Sequence, residues 1–491
     1  MKRLLLTLAL LADADAAAPR PNIVLMVADD LGYGDLSCQG ATKFATPRID
    51  SLASQGVRFT DAHSYSGICM PSRYALLSGR YAFRLRRAMD YACQFDDGQV
   101  LLPGALKHAG YRTAMLGKWH NGFGRSNEVN WNAELKPGPL EFGFESFFGT
   151  PRTHSEPPLV FVRDHRIVGW EAGDPISVDH SPGTGAHGRQ VGGAKAMALR
   201  PTERIDLRLA AEADSFIAST GNEHPFFLYL AWSAPHNPLS PSADFQGRSN
   251  AGRYGDFIQQ LDHSVGLVLD ALEKHGKAAN TLIVFTSDNG GRYEGGAARA
   301  GHRPNGNLLG QKTDAWEAGH RVPFLARWQG RIPASAVRRE FFHHVDLMAT
   351  LCDAASVTVP TGASPDGRSE LRAFLDPVAA PAQRTEGVMH GTASMALRQG
   401  SWIYLPKQGS GGKTVPEPAK PFGIPYARMG VSNSDVDETG KVRPDAPPEQ
   451  LYDLVADPSQ RQNRAAAEPD RLKAMRERLK ELTSPDPTRG T

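Results

Sequence analysis

Residues 22–30 read NIVLMVADD, an apolar run that stops at Asp29 and Asp30. A short and continuously apolar run is typical of a strand buried on both faces, as in the parallel sheets of α/β proteins. Ligand-binding side chains commonly follow the carboxyl ends of such strands. The stretch therefore predicts a central parallel strand with two carboxylates at its functional end.

Other apolar runs end in polar, chemically capable residues in the same way. These runs and the residues that follow them are 113–117 (TAMLG) with Lys118 and His120, 226–232 (FFLYLAW) with His236, and 281–286 (TLIVFT) with Asp288 and Asn289. Since the ends of parallel strands meet at one edge of a sheet, we expect these side chains to lie close together.

Helical periodicity alternates with the apolar runs. One buried helical face is predicted before the run at 281–286, formed by Phe257, Ile258, Leu261, Val265, Val268, Leu269 and Leu272. Alternating strands and helices predict an α/β fold with a large mixed, mostly parallel sheet sandwiched by helices.

The composition becomes rich in Pro, Ala, Gly and Ser around residues 355–385. This change predicts a boundary between a catalytic α/β domain at 19–370 and a smaller C-terminal α+β subdomain at 371–491. Strand-like pieces at 395–398, 402–405 and 450–454 predict a short antiparallel sheet there. A terminal helix carries one apolar stripe, which predicts docking onto the rest of the protein: Leu472, Met475, Leu479 and Leu482.

The overall charge of the chain is nearly balanced. The 491 residues include 55 Lys and Arg against 53 Asp and Glu, a formal net charge of +2. No block of basic residues is interleaved with aromatic residues as nucleic-acid binding requires, so we expect no nucleic-acid partner. Any anionic ligand must then be bound by a local cluster of cations.

The first 18 residues predict a secretory signal peptide. Two basic residues precede a short apolar segment and several alanines, with cleavage expected before Pro19 or Arg20. The apolar segment is shorter than the ~20 residues that span a bilayer, so no transmembrane segment is expected after its removal. We expect a secreted or periplasmic protein; an amphipathic start to a first helix is the alternative.

The motif CMPSR at residues 69–73 predicts a nucleophile at the start of a helix. Pro71 fits the first helical turn and Gly79 can end the helix. Cys69 would then lie at the positive end of the helix dipole with Arg73 one turn away, an arrangement expected to lower the pKa of its thiol. A buried structural cysteine is the alternative.

Cys38, Cys93 and Cys352 could include one disulfide or remain three thiols.

Asp29, Asp30, Asp288 and Asn289 offer hard oxygen ligands and no soft ones. Such ligands select Ca²⁺ or Mg²⁺ over zinc. Each pair alone is more often a turn or a helix cap. Because two predicted strand ends carry them, we expect a metal site.

Together, the CMPSR motif, the Asp29–Asp30 and Asp288–Asn289 pairs, and the Lys118, His120, His236 and Lys312 positions resemble the arylsulfatase A-like branch of the type I sulfatases, in the alkaline phosphatase superfamily. The resemblance implies that a formylglycine-generating or sulfatase-maturing enzyme converts Cys69 to Cα-formylglycine. It also implies that Asp29, Asp30, Asp288, Asn289 and the modified Cys69 hold one Ca²⁺, with Mg²⁺ as the alternative ion.

The resemblance further implies the catalytic residues and their roles. Hydrated formylglycine 69, held by Arg73, Lys118 and the metal, attacks sulfur; His236 and Lys312 assist the departing alcohol; and His120 removes a proton so that sulfate leaves. The sequence differs from the family at Ala318-Gly319-His320, where Gly-Gly is more usual, and at Gln460. His320 could line the pocket or fill space.

The implied substrate is a sulfated small molecule or carbohydrate, which the sequence does not identify further. One alternative is a phosphonate monoester hydrolase or phosphodiesterase, because relatives with this nucleophile motif cleave those bonds. The other is a non-catalytic protein that binds sulfated glycans, which would follow if Cys69 stayed a thiol.

Overall fold

The computed structural model describes residues 19–85, 91–415 and 424–484. The predicted signal peptide at 1–18 lies outside the described residues. Within the described ranges no helix is long and apolar enough to cross a bilayer.

The strands in these ranges, in chain order, are β1 (Asn22–Asp29), β2 (Val57–Phe59), β3 (Ala62–His63), β4 (Arg112–Gly117), β5 (Ser146–Gly149), β6 (Val162–Arg163), β7 (Arg166–Ile167), β8 (Ser177–Asp179), β9 (Arg189–Val191), β10 (Phe226–Pro235), β11 (Thr281–Ser287), β12 (Phe324–Arg327), β13 (Ala336–Arg338), β14 (Phe342–His343), β15 (Glu386–His390), β16 (Met395–Gln399), β17 (Trp402–Leu405), β18 (Thr414–Val415), β19 (Ile424–Pro425) and β20 (Gln450–Asp453).

The α-helices in the same ranges are α1 (Pro47–Ser54), α2 (Cys69–Ser78), α3 (Leu102–His108), α4 (Ala194–Ala198), α5 (Ile205–Ser219), α6 (Gly252–Lys274), α7 (Gly295–Arg299), α8 (Glu317–His320), α9 (Leu347–Ala354), α10 (Leu371–Leu375) and α11 (Pro469–Thr483).

The main sheet is large, mixed and mostly parallel, as the sequence predicts. Its strand order in the described chain is β13-β2-β12-β11-β1-β10-β4-β5-β6-β7. The predicted polar-ended runs are its adjacent central strands β11, β1, β10 and β4, and neighbours among them pair in parallel. Their carboxyl ends therefore meet at one edge, which confirms the expected arrangement.

Helices cover both faces of the main sheet, so the central strands are apolar on both sides. Val24 and Met26 of β1 face a core shared with α1, α5 and α6, including Leu261 of α6. Ile23 and Leu25, which alternate with them, face a core shared with α2, α3 and α9. This packing explains the continuous apolar run and confirms the helical face predicted for α6.

A smaller antiparallel sheet follows, with the strand order β15-β16-β17-β20. Helix α11 packs on β16 and β17, and buries Met475 and Leu479 of the predicted stripe. The apolar stripe is thus a docking face, as predicted. Strand β15 was not among the predicted strands, because its sequence EGVMH has no clear alternation.

Candidate active site

The polar residues of the site are delivered by the adjacent ends of the central strands. Asp29 ends β1, and Asp30 follows with a left-handed φ of 66° that turns the chain away from the sheet. Aspartate tolerates this conformation better than most residues do. The backbone N–H of Asp30 donates to Asp288 Oδ1 at 3.2 Å, which links the end of β1 to the end of β11.

Helix α2 begins at Cys69 and ends at Ser78, as the sequence predicts. Gly79 ends it with a φ of 60°, where an added Cβ would lie 2.0 Å from Ser364 Oγ. The hydroxyl of Ser72 accepts from the backbone N–H of Ser66 at 3.0 Å and donates to the Ser66 carbonyl at 2.9 Å. The serine of the CMPSR motif thus fixes the loop that precedes Cys69.

The carboxylates of Asp29 and Asp30 and the sulfur of Cys69 offer ligand atoms that all lie within 4.8 Å of one another. Asn289 Nδ2 donates to Asp30 Oδ1 at 2.9 Å. The Oδ1 atom of Asn289 is buried without a hydrogen-bond partner. A buried acceptor without a donor beside clustered carboxylates fits a hard divalent cation.

Three cations lie among the carboxylates and nearly neutralise them. Lys118 Nζ donates to both oxygens of Asp29 at 2.9 and 2.8 Å. Lys312 Nζ lies 2.6 Å from Asp30 Oδ1, and Arg73 lies 2.8 Å from Asp288 Oδ2. Burial alone would raise the pKa of Asp30, but Lys312 and His236 hold it well below its usual value. The carboxylate of Asp30 is therefore ionised and able to bind a metal, whereas burial raises the pKa of Asp288 despite its contact with Arg73.

The thiol of Cys69 differs from the prediction. Burial raises its pKa to about 11; Lys118 and Lys312 lower it, whereas the carboxylates of Asp288 and Asp29 raise it. Arg73, which we expected to stabilise a thiolate, is engaged with Asp288. The expected lowering of the thiol pKa is therefore wrong: burial, with a smaller contribution from the two carboxylates, outweighs the nearby positive charge.

His120 and His236 are neutral bases at the same edge of the sheet. The pKa of each ring is well below its usual value because of burial and nearby cations, Lys118 for His120 and Lys312 for His236. His236 Nε2 lies 3.7 Å from Asp30 Oδ2, and its Nδ1 lies 2.6 Å from the Asn237 carbonyl. His120 Nε2 lies 3.8 Å from Glu156 Oε2.

A cavity of about 750 Å³ opens above Cys69. It is lined by predicted site residues, namely Asp30, Cys69, His120, His236 and Lys312. The other predicted site residues, which are Asp29, Arg73, Lys118, Asp288 and Asn289, are buried beneath them. The structure thus brings all ten predicted residues to one place, with reactive groups at the floor of an open pocket.

A family model described as Sulfatase matches residues 21–357 of the chain. The chain belongs to the sulfatase family. This sulfatase is 32% identical to an N-acetylgalactosamine-6-O-sulfatase of Bacteroides thetaiotaomicron over 94% of this chain and 93% of that protein. It is 33% identical to the human N-acetylgalactosamine-6-sulfatase over 74% of this chain and 67% of that protein.

A solved structure from work on glycosaminoglycan metabolism by Bacteroides thetaiotaomicron matches this sulfatase with a TM-score of 0.81. The two chains are 32% identical, and the match covers 94% of this chain and 99% of that one. Membership of the family and the fold are therefore as the motifs predicted, and the protein is a sulfatase enzyme.

Further charged residues line the pocket of this sulfatase and were not identified from the sequence. The charged ones are Arg152, Glu156, Arg292 and Lys413, and His187 lies beside Glu156. All of them lie in loop segments without hydrophobic periodicity, so only their three-dimensional position reveals them. Two of the segments, 121–200 and 407–449, are long insertions of the kind that commonly form substrate walls.

His320 does not line the pocket of this sulfatase. It is buried in α8, where its Nδ1 lies 3.0 Å from His63 Nδ1 and its Nε2 lies 3.1 Å from the Ala315 carbonyl. The unusual Ala318-Gly319-His320 sequence thus serves packing.

Among the other cysteines, Cys38 and Cys352 are free thiols.

Proposed function

We propose that this sulfatase hydrolyses the 6-sulfate ester of N-acetylgalactosamine in a sulfated carbohydrate. The relatives named above support this substrate, since both carry that activity in their names and one matches the chain almost end to end. The observation that carries the proposal is the cluster of Cys69, Asp29 and Asp30 at the floor of an open cavity, with Lys118 and Lys312 beside it.

We propose that Asp29, Asp30, Asp288 and Asn289, with residue 69, hold one Ca²⁺. Hard carboxylate and amide oxygens favour calcium or magnesium, and several oxygen ligands in one place favour the larger ion. Such an ion orients the nucleophile and neutralises charge on the sulfate. The buried, unpartnered Oδ1 of Asn289 supports a cation at this point.

We further propose that a maturing enzyme converts Cys69 to formylglycine. With a pKa of about 11, the unmodified thiol is almost wholly protonated at neutral pH and is a weak nucleophile. The hydrated aldehyde supplies a hydroxyl for attack and a second one for release of sulfate.

The remaining side chains act on charge and protons. Lys312 lines the pocket and Lys118 is buried beneath it, and both are fixed cations that stabilise the negative charge that develops in the transition state. A bound sulfate ester places negative charge beside the His236 ring, which raises its pKa and enables Nε2 to protonate the leaving oxygen. The neutral His120 ring accepts a proton in the second half of the reaction.

The test uses protein co-expressed with a maturing enzyme. Sulfate release is measured from N-acetylgalactosamine 6-sulfate, its 4-sulfate isomer, p-nitrophenyl sulfate and a phosphonate monoester, with Cys69→Ala as the control. We expect the 6-sulfate to be the best substrate and the control to be inactive. Preferred turnover of the phosphonate would instead support the phosphonate hydrolase alternative.

A peptide mass spectrum of the same sample tests the modification. An aldehyde at residue 69 supports the proposal, whereas Cys69 found entirely as thiol in an active enzyme would refute it. A thiol in an inactive protein that still binds sulfated glycans would favour the non-catalytic alternative.

We also propose that the chain is exported after removal of residues 1–18, and that its mature part divides into units at 19–370 and 371–491. N-terminal sequencing of the exported protein tests the cleavage point. Limited proteolysis tests the division, with cuts expected between residues 355 and 385.

A further inference from the structure

One part of the cavity lining is internally neutralised. Arg152 Nε donates to Glu156 Oε2 at 2.8 Å, and His187 Nε2 lies 3.4 Å from Glu156 Oε1. The guanidinium of Arg152 also stacks on Tyr91, with its carbon 4.1 Å from the ring centroid. This part of the lining has little charge left over for a ligand.

The lining formed by Arg292 and Lys413 is different, because no carboxylate of the described residues forms an ion pair with either cation. Both residues are exposed and both line the cavity. Within residues 19–85, 91–415 and 424–484, neither side chain forms an ion pair or a hydrogen bond. Lys413 has a lowered pKa, first because of partial burial and then because the positive charges of Lys312 and Arg292 act on it.

Hydrogen bonds fix the backbone at or next to both Arg292 and Lys413. The Asn305 side chain forms two hydrogen bonds with the backbone of Gly291, the residue before Arg292. It accepts from the Gly291 N–H and donates to the Gly291 carbonyl, each at 2.8 Å. The N–H of Lys413 donates to Thr313 Oγ1 at 2.9 Å, so its backbone is tied to the residue that follows Lys312. The two positions are therefore fixed relative to the floor of the pocket.

Positive charges repel one another. Two cations beside a low-dielectric cleft are therefore unfavourable unless an anion binds between them. Lys312 in the pocket and Lys118 beneath it are already assigned to the sulfate ester in the proposed function. The charge on Arg292 and Lys413 is therefore available for another anion.

We propose that Arg292 and Lys413 form a second anion subsite, which binds a carboxylate or sulfate group carried by the substrate beside the ester that is cleaved. The inference rests on the proposed function and specifies its substrate class as a polyanionic carbohydrate. The neutralised lining at Arg152 and Glu156 is suited to the hydroxyl groups of the sugar.

The experiment compares kcat/KM for disaccharides that share a 6-sulfated N-acetylgalactosamine. The neighbouring sugar carries a uronate carboxylate, a sulfate, or an uncharged primary alcohol in place of the carboxylate. For the wild-type enzyme we expect kcat/KM to be about tenfold higher for an anion-bearing disaccharide than for the uncharged one, since the uncharged one loses charge-assisted contacts to two cations. The ratio of these two kcat/KM values is measured for the carboxylate and for the sulfate, and the larger ratio identifies the anion that the subsite prefers.

Arg292→Gln and Lys413→Gln are expected to lower that ratio to about threefold each, and the double variant to about one. Arg299→Gln and Lys407→Gln are matched controls, exposed cations outside the cavity lining, and should keep the wild-type ratio. A ratio near one in the wild-type enzyme, or an unchanged ratio in the double variant, would overturn the subsite.

Failure of the proposed function looks different, because the wild-type enzyme would then release sulfate from none of the three disaccharides. In that case, calorimetric Kd values of the same compounds for Cys69→Ala and for Cys69→Ala with both Gln substitutions decide the question. Tighter binding of the charged compounds, lost in the combined variant, supports the subsite; equal Kd values refute it.

Discussion

Two buried clusters in the described chain have the spacing of metal-binding groups, yet they differ in access. The Cys69 cluster consists of Asp29, Asp30 and Cys69, and the His63 cluster consists of His63, Glu317 and His320. Asp30 and Cys69 of the Cys69 cluster line a cavity of about 750 Å³, whereas the side chains of the His63 cluster are fully enclosed.

The two clusters also differ in what binds their polar atoms. His63 Nδ1 contacts His320 Nδ1 at 3.0 Å, and His63 Nε2 contacts Asp61 Oδ1 at 2.7 Å. The ring nitrogens of His63 are thus occupied within the protein, and Arg321 lies 3.2 Å from Glu317. Proximity of ligand atoms therefore does not define a metal site. Access from solvent and ligand atoms directed at a common point are needed as well.

The largest effect is expected from breaking the Cys69 cluster. Asp29→Asn removes a proposed metal ligand and the partner of Lys118, so kcat/KM should fall at least about 10³-fold. Ca²⁺ should raise the melting temperature of the wild-type protein but not that of this variant, because a ligand that binds only the folded state stabilises it. An equal calcium-induced rise in melting temperature in both proteins would mean that Asp29 is not a metal ligand.

Breaking the His63 cluster should affect stability instead. His63→Ala loses the contacts with Asp61 and His320 inside the core, so we expect a loss of about 3 kcal/mol in the free energy of unfolding. The calcium-induced shift in melting temperature should remain. The control is His224→Ala, an exposed histidine, whose stability should stay within about 0.5 kcal/mol of wild type. Loss of the calcium shift in His63→Ala would mean that the His63 cluster takes part in metal binding.

The thiol of Cys69 offers a third test, made on protein produced without a maturing enzyme. Because its pKa is about 11 rather than the ordinary 9.0, the thiolate fraction at pH 8 should be about 100-fold lower than for an unperturbed thiol. Alkylation followed by peptide mass spectrometry should show a rate at Cys69 that still rises above pH 9. A rate that levels off near pH 8 would contradict the raised pKa of the buried thiol.

The smallest effect concerns pH and the His63 cluster. Burial lowers the pKa of His320 from 6.5 to about 4, so the unfolded chain binds this proton more readily than the folded protein does. The stability contributed by neutral His320 is present above about pH 6.5 and is lost as the pH falls through that value towards 4.

Between pH 7 and pH 5 this loss should amount to about 2 kcal/mol in the free energy of unfolding, measured with denaturant. In His320→Gln the part of the pH dependence due to this ring should be absent. An identical pH profile in the variant would mean that the pKa of His320 is the same in the folded and unfolded protein.

The positions of the active-site residues could be predicted because strand pattern and chemistry coincide in the sequence. Asp29, Lys118, His236 and Asp288 each follow an apolar run, and parallel pairing alone brings these ends together. Strand β15 was missed because three of its five residues are buried in succession without alternation.

Electrostatic and pocket properties were harder to predict from the sequence. The raised pKa of Cys69 depends on burial and on carboxylates from distant strands, whereas the sequence shows only its helix and Arg73. Arg292 and Lys413 are 121 positions apart, and the loop at Lys312 and Thr313 forms hydrogen bonds with the backbone of both segments, at Gly291 and at Lys413. Local patterns carry no information on such distant contacts.

The loop that precedes Cys69 is also held by a strand from the far end of the chain. The Gly67 N–H donates to the His390 carbonyl at 2.8 Å, and the Ser66 hydroxyl donates to the same carbonyl at 2.8 Å. During synthesis, these anchors do not exist until β15 has left the ribosome, more than 300 residues after Cys69. While the chain is being made, the loop before Cys69 therefore lacks these two hydrogen bonds, and it gains them only when β15 is in place.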